Sequence, residues 1–266
     1  MASRLDTGIV LLNSVTRILP EHAGAVCISG SHGGITSAHF VAVSALRACI
    51  FNDAGLGRDE AGVEGLAYLA SFGIAAATTS HDSARIGDAQ DALQRARISR
   101  ANSIAARLGV VAGQACSVAA ELLKQAPVVR PVGLKSPKER RRCLFTRSDI
   151  DVLLLDSISL TQPSDRGAII LTGSHGGGPP KYALQVDALA AVYNDAGIGI
   201  EDAGVTRLLV LQVRGIAAAT VSAASARIGS AESTYEIGTI SRLNDVAFSR
   251  GGRVGMPARE FVEQFL

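Results

Sequence analysis

The side chains that could carry chemistry in this chain lie in three short polar motifs. Residues 30–34 read Gly-Ser-His-Gly-Gly, residues 52–55 read Asn-Asp-Ala-Gly, and residues 80–87 read Ser-His-Asp-Ser-Ala-Arg-Ile-Gly. A histidine accepts or releases a proton near neutral pH, and a nearby carboxylate can orient it or act as a base itself. We therefore expect acid–base chemistry, with His32, Asp53, His81 and Ser83 as the candidate catalytic residues.

The first motif could hold an anion. Its glycines leave backbone N–H groups accessible, and a helix that begins beside them favours negative charge. Ser31, Gly33 and Gly34 are therefore candidate substrate-binding residues, and His32 is a candidate general acid or base. The alternative is a tight turn in which His32 bonds to the backbone.

The second motif supplies a carboxylate and a carboxamide at the end of a predicted strand. Asn52 is a candidate substrate-binding residue, and Asp53 could orient His32, act as a base or bind a divalent cation. The alternative is an Asx turn, in which these side chains bond to the following backbone. The motif resembles the Asn-Asp-Asp-Gly strand end of the SurE-type metal-dependent phosphatases, but Ala54 stands where they have a second acid. Metal ligation is therefore not transferred from that resemblance.

The third motif contains an arginine that could bind a substrate. The planar guanidinium of Arg85 suits a carboxylate or a phosphate. Ser83 could bond to that substrate or act as a nucleophile, although the sequence lacks the spacing of a nucleophile elbow. The alternative is that Arg85 pairs with Asp53 and braces the fold.

All three motifs occur a second time, 142 or 143 residues further along the chain. Residues 24–34 and 167–177 share seven of eleven residues, and residues 73–89 and 215–231 share thirteen of seventeen. A shorter match joins Ile-Ser-Arg-Ala-Asn at residues 98–102 to Ile-Ser-Arg-Leu-Asn at residues 240–244. The second set of candidate substrate-binding residues is Ser174, His175, Lys181, Asn194, Asp195, Ser225 and Arg227.

The two copies differ in their proton-transfer groups. The first has His81 and Asp82 where the second has Ala223 and Ala224, and Lys181 follows only the second glycine loop. We therefore expect the first copy to hold the reactive groups. The second copy either keeps its loops for structure or completes a shared site with Lys181.

Apolar runs that alternate with helical patterns predict an α/β fold with parallel sheets. In the first copy we expect buried strands at residues 25–29, 48–51 and 74–78. Helices are expected at 37–46, 59–72 and 88–95, with another segment capped by Ser99. We predict two tandem Rossmann-like repeats, residues 1–125 and 148–266, related by a pseudo-twofold axis. A basic, proline-containing linker is predicted between them at residues 126–147.

Composition narrows the possible partners of the chain. A net charge of +2 among 266 residues argues against nucleic acid, and no apolar run is long enough to predict a membrane span. The N-terminus lacks the pattern of a signal peptide, so we expect a cytoplasmic protein. Abundant alanine and glycine allow close packing, and we expect a homo-oligomer.

Together these features predict an enzyme, a hydrolase or lyase that acts on a small anionic metabolite bearing a carboxylate or phosphate. Two alternatives stay open, a non-catalytic protein that binds a small anion and a metal-dependent phosphatase. We expect no cofactor, and a divalent metal at Asp53 or Asp195 stays open.

Overall fold

The computed structural model describes residues 3–5, 8–135 and 138–266. The chain forms two compact units. Unit 1 contains residues 1–56, 60–138 and 199–201, and unit 2 contains residues 57–59, 139–198 and 202–266. Each unit therefore includes a three-residue segment whose sequence lies in the other repeat.

The sheet of unit 1 has six strands that follow one another in the same order as in the chain. These strands are β1 (Ser3–Leu5), β2 (Ile9–Leu12), β3 (Val26–His32), β4 (Ala48–Asn52), β5 (Ala75–Thr79) and β6 (Ile98–Ala101). Strands β2 to β5 are parallel, and the two edge strands are antiparallel to their neighbours.

Helices cover both faces of this sheet, as the buried apolar strands predict. They are α1 (Ile35–Val43), α2 (Gly65–Ser71), α3 (Ala89–Arg95), α4 (Ser103–Arg107) and α5 (Cys116–Leu123). Successive strand residues point to opposite faces. Val10 and Phe51 therefore pack with α1 and α2, whereas Ile9 and Ile50 pack with α3 and α5.

The sheet of unit 2 has the same strand order and strand directions. Its strands are β7 (Arg141–Arg147), β8 (Ile150–Leu155), β9 (Ile169–His175), β10 (Ala190–Asn194), β11 (Ala217–Val221) and β12 (Ile240–Leu243). Its helices are α6 (Arg207–Val213), α7 (Ala231–Ile237), α8 (Asp245–Ser249) and α9 (Ala258–Glu263). Strand β7 falls within the predicted linker, and Arg141 there forms a bidentate pair with the buried Asp165 at 2.6 and 2.9 Å.

The strand order differs from that of a Rossmann-like sheet. A doubly wound sheet reverses direction in the middle, and its ligand crevice lies at that reversal. Both sheets here run in chain order without a reversal. The structure therefore shows a mixed α/β fold with two largely parallel sheets.

Two predicted helices are different in the structure. The segment thought to be capped by Ser99 is strand β6, where the Ser99 hydroxyl lies 3.0 Å from that of Thr78. The cap lies three residues later, where the Asn102 side chain accepts from the Ala105 N–H. Helix α2 starts at Gly65 rather than at 59, because Asp59 and Glu60 have positive φ angles.

The first glycine of the Gly-Ser-His-Gly-Gly motif is required by a close backbone approach. A Cβ on Gly30 would lie 2.6 Å from the carbonyl carbon of Gly87, whose N–H donates to the Gly30 carbonyl. Gly173 stands in the same relation to Gly229 in unit 2. The same backbone contact therefore joins the first and third motifs in both units.

We expect Gly30→Ala to destabilise the protein by about 1–3 kcal/mol, because backbone must move to admit the methyl group. Chemical denaturation measures the loss, and hydrogen exchange should show reduced protection of the Gly87 amide. An unchanged stability together with unchanged protection of Gly87 would show that the close approach is not a constraint.

Candidate functional site

The three motifs of unit 1 follow the carboxyl ends of three adjacent parallel strands. His32 is the last residue of β3, Asp53 follows β4, and the segment 80–87 follows β5. Because β3, β4 and β5 are parallel neighbours, these ends lie along one edge of the sheet.

Asp53 is bonded to His81. Asp53 is 3% exposed, and its Oδ1 accepts from the Gly55 N–H at 3.1 Å, the His81 N–H at 3.0 Å and His81 Nδ1 at 2.9 Å. Burial alone would raise the pKa of Asp53, but the hydrogen bonds from His81 outweigh it and hold the pKa below its usual value. Asp53 is therefore ionised at neutral pH and can only accept from the imidazole.

This bond fixes the tautomer of His81. Since Nδ1 donates to Asp53, the neutral ring carries its lone pair on Nε2. The side chain is 22% exposed, and Nε2 lies 3.5 Å from the exposed carboxylate of Asp82. A buried carboxylate that orients a partly exposed imidazole is an arrangement suited to proton transfer.

His32 has a different partner from the one expected. It was expected to be oriented by Asp53, but its Nδ1 accepts from the Gly34 N–H at 3.1 Å. Burial lowers the pKa of His32 to about 4, so the ring is neutral at physiological pH and its proton is on Nε2. A neutral ring of this kind donates a hydrogen bond and does not serve as an acid in the imidazolium form.

The pKa of His32 predicts a pH dependence of stability. The unfolded chain binds a proton at His32 as the pH falls below about 6.5, whereas the folded protein does so only near pH 4. The unfolded state binds more protons in this window, so stability is lost as the pH falls from 6.5 to 4, by at most about 3 kcal/mol.

The variant His32→Asn tests this prediction, because the Asn oxygen can replace Nδ1 as an acceptor but does not titrate. Urea denaturation between pH 7 and 4.5 should show a shallower loss of stability in the variant than in the wild type. Parallel curves for the two proteins would contradict the lowered pKa of His32.

The backbone N–H groups of the glycine loop are engaged within the protein. Gly33 donates to the Asn52 carbonyl at 3.0 Å, and Gly34 donates to His32. The Ser31 hydroxyl accepts from the Val15 N–H at 3.1 Å. These predicted anion-binding groups therefore close a tight turn, which is the structural alternative for the first motif.

Asn52 and Ser83 also bond to backbone. The Asn52 side chain accepts from the Ala54 N–H at 2.9 Å and donates to the Ala84 carbonyl at 3.3 Å. The Ser83 hydroxyl donates to the Ser80 carbonyl at 2.8 Å and accepts from the Arg97 N–H at 2.9 Å. Its hydroxyl proton is thus directed at a carbonyl rather than at a base, which argues against Ser83 as a nucleophile.

Arg85 pairs with carboxylates other than Asp53. Its Nε and Nη2 lie 2.7 and 2.6 Å from Glu201 Oε2, and its Nη1 lies 3.2 Å from Asp91 Oδ1. Residue 201 belongs to unit 1 in space. The planar fork that was expected to hold a substrate anion is therefore occupied by acids of the same unit.

The first two motifs of unit 2 form the same turns as those of unit 1. Ser174 accepts from the Ile158 N–H at 3.0 Å, and His175 Nδ1 accepts from the Gly177 N–H at 3.2 Å. Asn194 accepts from the Ala196 N–H at 2.9 Å. These contacts reproduce those of Ser31, His32 and Asn52.

The third motif of unit 2 is held in the same way but lacks the imidazole. Asp195 Oδ1 accepts from the N–H groups of Gly197 and Ala223 at 2.9 and 2.8 Å. The Ser225 hydroxyl donates to the Ser222 carbonyl at 2.8 Å, and Arg227 pairs with Asp59 of the same unit at 3.1 Å. Lys181 is exposed, in a 3₁₀ turn after the glycine loop.

Sequence reasoning missed a buried arginine in unit 2. Arg207 is 4% exposed, and its guanidinium lies 5.6 Å from the centre of the Tyr193 ring. The repeats contain a signal for it, because the aligned residues of the first copy are Gly65 and Phe51. The second copy thus has the charged Arg207 in place of a glycine and the hydroxyl of Tyr193 in place of a phenylalanine.

Metal coordination and membrane insertion can be judged for the described part of the chain. No group of three or more His, Cys, Asp or Glu side chains there could hold a metal ion. No helix in that part is long and apolar enough to cross a membrane.

Comparisons of the chain with protein-family models, with curated proteins and with solved structures found no match.

Proposed function

We propose that the protein is an enzyme, a hydrolase or lyase, in which Asp53 and His81 perform acid–base chemistry on a small anionic metabolite. The observation that carries the proposal is the 2.9 Å bond between the buried Asp53 carboxylate and Nδ1 of the partly exposed His81. This bond holds the Nε2 lone pair of His81 in one orientation, as a general base requires.

The comparison between the repeats supports a chemical role for the imidazole. Asp195 closes its turn through the N–H groups of Gly197 and Ala223 without any imidazole. The fold of this loop therefore does not need a histidine at the position of His81. A group that the loop does not need for its conformation is better explained by chemistry.

In this proposal the residues have different roles from those expected at first. His81 is the general base or acid, and Asp53 orients it. His32, neutral and protonated on Nε2, is a hydrogen-bond donor for a substrate oxygen, as in sites where a neutral imidazole stabilises developing negative charge. Arg85 holds the loop through Asp91 and Glu201, and its role in the proposal is structural.

The tandem duplication is part of the same proposal. Val10 pairs with Cys27 in the first sheet, and Leu153 pairs with Ile170 in the second, at the same offset of 143 residues. These equal registers support descent from one duplicated unit. The pseudo-twofold relation, the cytoplasmic location, the homo-oligomeric state and the absence of a nucleic-acid partner stay predictions.

The test of the function is a turnover screen. Purified full-length protein is incubated with panels of carboxylate esters, phosphate esters and hydroxy acids, with and without a chelator, and products are followed by mass spectrometry. A product formed by the wild type and lost in His81→Ala supports the proposal. Binding without turnover would favour the non-catalytic alternative, and loss of activity with the chelator would favour the metal-dependent phosphatase.

A further inference from the structure

Unit 2 contains a buried positive charge whose hydrogen-bonding groups are unsatisfied. Arg207 is the first residue of α6 and is 4% exposed. Within the described part of the chain, its Nε and Nη1 atoms have no hydrogen-bond partner. An arginine stays protonated in proteins, and a buried charge without a partner is strongly unfavourable.

The hydroxyl of Tyr193 is buried beside this charge. Tyr193 is 0% exposed, and its hydroxyl likewise has no hydrogen-bond partner among the described residues. The backbone of Leu184 lies near enough to lower the pKa of Tyr193, as an N–H donor does, but outside hydrogen-bonding geometry. Burial raises the pKa of Tyr193, so the phenol stays protonated and can donate.

Asp187 pairs with two other arginines of unit 2. Arg207 is the first residue of α6, and Arg214 is the residue that follows its last turn. Arg214 pairs with Asp187 at 2.9 Å and also donates to the carbonyls of Leu184 and Val186. Arg166 reaches the same Asp187 carboxylate at 3.5 Å. Asp187 therefore pairs with Arg214 and Arg166 rather than with Arg207.

Unit 1 shows what the same position looks like without the charge. Gly65 and Phe51 occupy the aligned positions, and a Cβ on Gly65 would lie 2.6 Å from Cβ of Ala38 in α1. In unit 2 the segment after the glycine loop forms a short 3₁₀ turn, Pro180–Tyr182, instead of a helix like α1. The loss of that helix coincides with the gain of the guanidinium and the phenol.

We propose that Arg207 and Tyr193 form a binding site in unit 2 for a small oxyanion, a carboxylate or a phosphate. The ligand would accept from Nε or Nη1 of the guanidinium, which is a donor only, and from the phenol, which stays protonated. The site lies next to the glycine loop, since the Arg207 N–H donates to the Gly176 carbonyl at 2.8 Å. It does not depend on the function proposed for Asp53 and His81.

The experiment compares Arg207→Met with the wild-type full-length protein. Calorimetry and thermal unfolding are measured with inorganic phosphate and with malonate, at ionic strength matched by sodium chloride. The control is Arg242→Met, which removes an exposed charge of the same unit whose guanidinium donates to the Ser241 carbonyl at 3.0 Å. The methionine is close in volume to the arginine stem but carries no charge.

We expect Arg207→Met to weaken binding of the preferred anion by about 10- to 100-fold, while Arg242→Met binds like the wild type. Without an anion, Arg207→Met should be at least as stable as the wild type, because an unpaired buried charge has been removed. Tighter binding of phosphate or of malonate identifies the ligand class.

Equal affinities of the wild type and Arg207→Met, or no binding of either anion by the wild type, would overturn the proposal. If Arg207→Met does not fold, Tyr193→Phe takes its place, since phenylalanine is the residue of the first repeat. That variant should bind about tenfold more weakly through loss of one donor, and unchanged affinity would overturn the proposal.

Discussion

His81→Ala is expected to lower turnover by about 10²- to 10⁴-fold, the usual effect of removing a general acid or base. The variant should fold, because alanine is the residue at the aligned position 223, where Asp195 closes the same turn. Asp53→Asn should also lower turnover, since its amide can present a donor to Nδ1 and favour the other tautomer of His81.

His175→Ala is the matched control for this loss. His175 bonds to the Gly177 N–H through Nδ1, as His32 does in the first repeat, and its unit has alanine at position 223. We expect it to affect turnover far less than His81→Ala. The rates are measured as functions of pH on whichever substrate the screen identifies, with circular dichroism to verify folding.

Two results would contradict the assignment to Asp53 and His81. One is a folded His81→Ala that keeps its turnover within about threefold of the wild type, because a general base cannot be removed at so small a cost. The other is an equal loss from His175→Ala. If His81 transfers a proton, kcat of His81→Ala should fall and its pH–rate profile should lose the acidic limb seen in the wild type. A merely structural role of the imidazole would leave the shape of that profile unchanged.

The strands were predictable because apolar runs between turn residues are local features. Residues 48–51 and 74–78 were expected as strands and lie within one residue of β4 and β5. Strand β3 was expected to end before Gly30 but continues to His32. Gly30 is there because the backbone of Gly87 approaches it, and the sequence around Gly30 contains no sign of that distant contact.

The edge strands were harder to predict. Strand β6 contains Ser99 and Arg100, and β7 contains four charged or polar residues around its cysteine and apolar residues. An edge strand has one partner and exposed positions, so it needs no continuous apolar run. Composition alone made β7 look like a linker, although Arg141 in it is fixed by Asp165.

The motifs of the candidate site were recognisable from their repetition, but the partners within it were not. Asp53 could have met His32, Arg85 or His81, and the choice depends on the path of the loop after β5. The loop turns the His81 backbone N–H and imidazole towards the same Asp53 oxygen. Contacts of this kind are tertiary, and no spacing along the chain determines them.

The fourth repeated motif, Ile-Ser-Arg-x-Asn, leads to the largest expected effect on stability. The Asn102 side chain is 6% exposed and bonds to four backbone groups. It accepts from the N–H groups of Ala76 and Ala105 at 3.2 and 3.0 Å, and donates to the carbonyls of Leu66 and Ile74 at 3.2 and 2.9 Å. One carboxamide therefore ties β5, α2 and α4 together, and Asn244 does the same in unit 2.

Asn102→Ala is expected to destabilise unit 1 by about 4 kcal/mol, because backbone groups that lose the carboxamide stay buried without a partner. Denaturant unfolding monitored by hydrogen exchange of β5 and α4 amides measures the loss in that unit. Ser103→Ala is the control, since Ser103 is the exposed neighbour at the start of α4. Asn102→Asp should also be less stable than the wild type. A carboxylate can still accept from the N–H groups of Ala76 and Ala105, but it supplies no donors for the carbonyls of Leu66 and Ile74. If Asn102→Ala costs no more than Ser103→Ala, the carboxamide does not hold these elements together, and the retention of this motif in both repeats needs another cause.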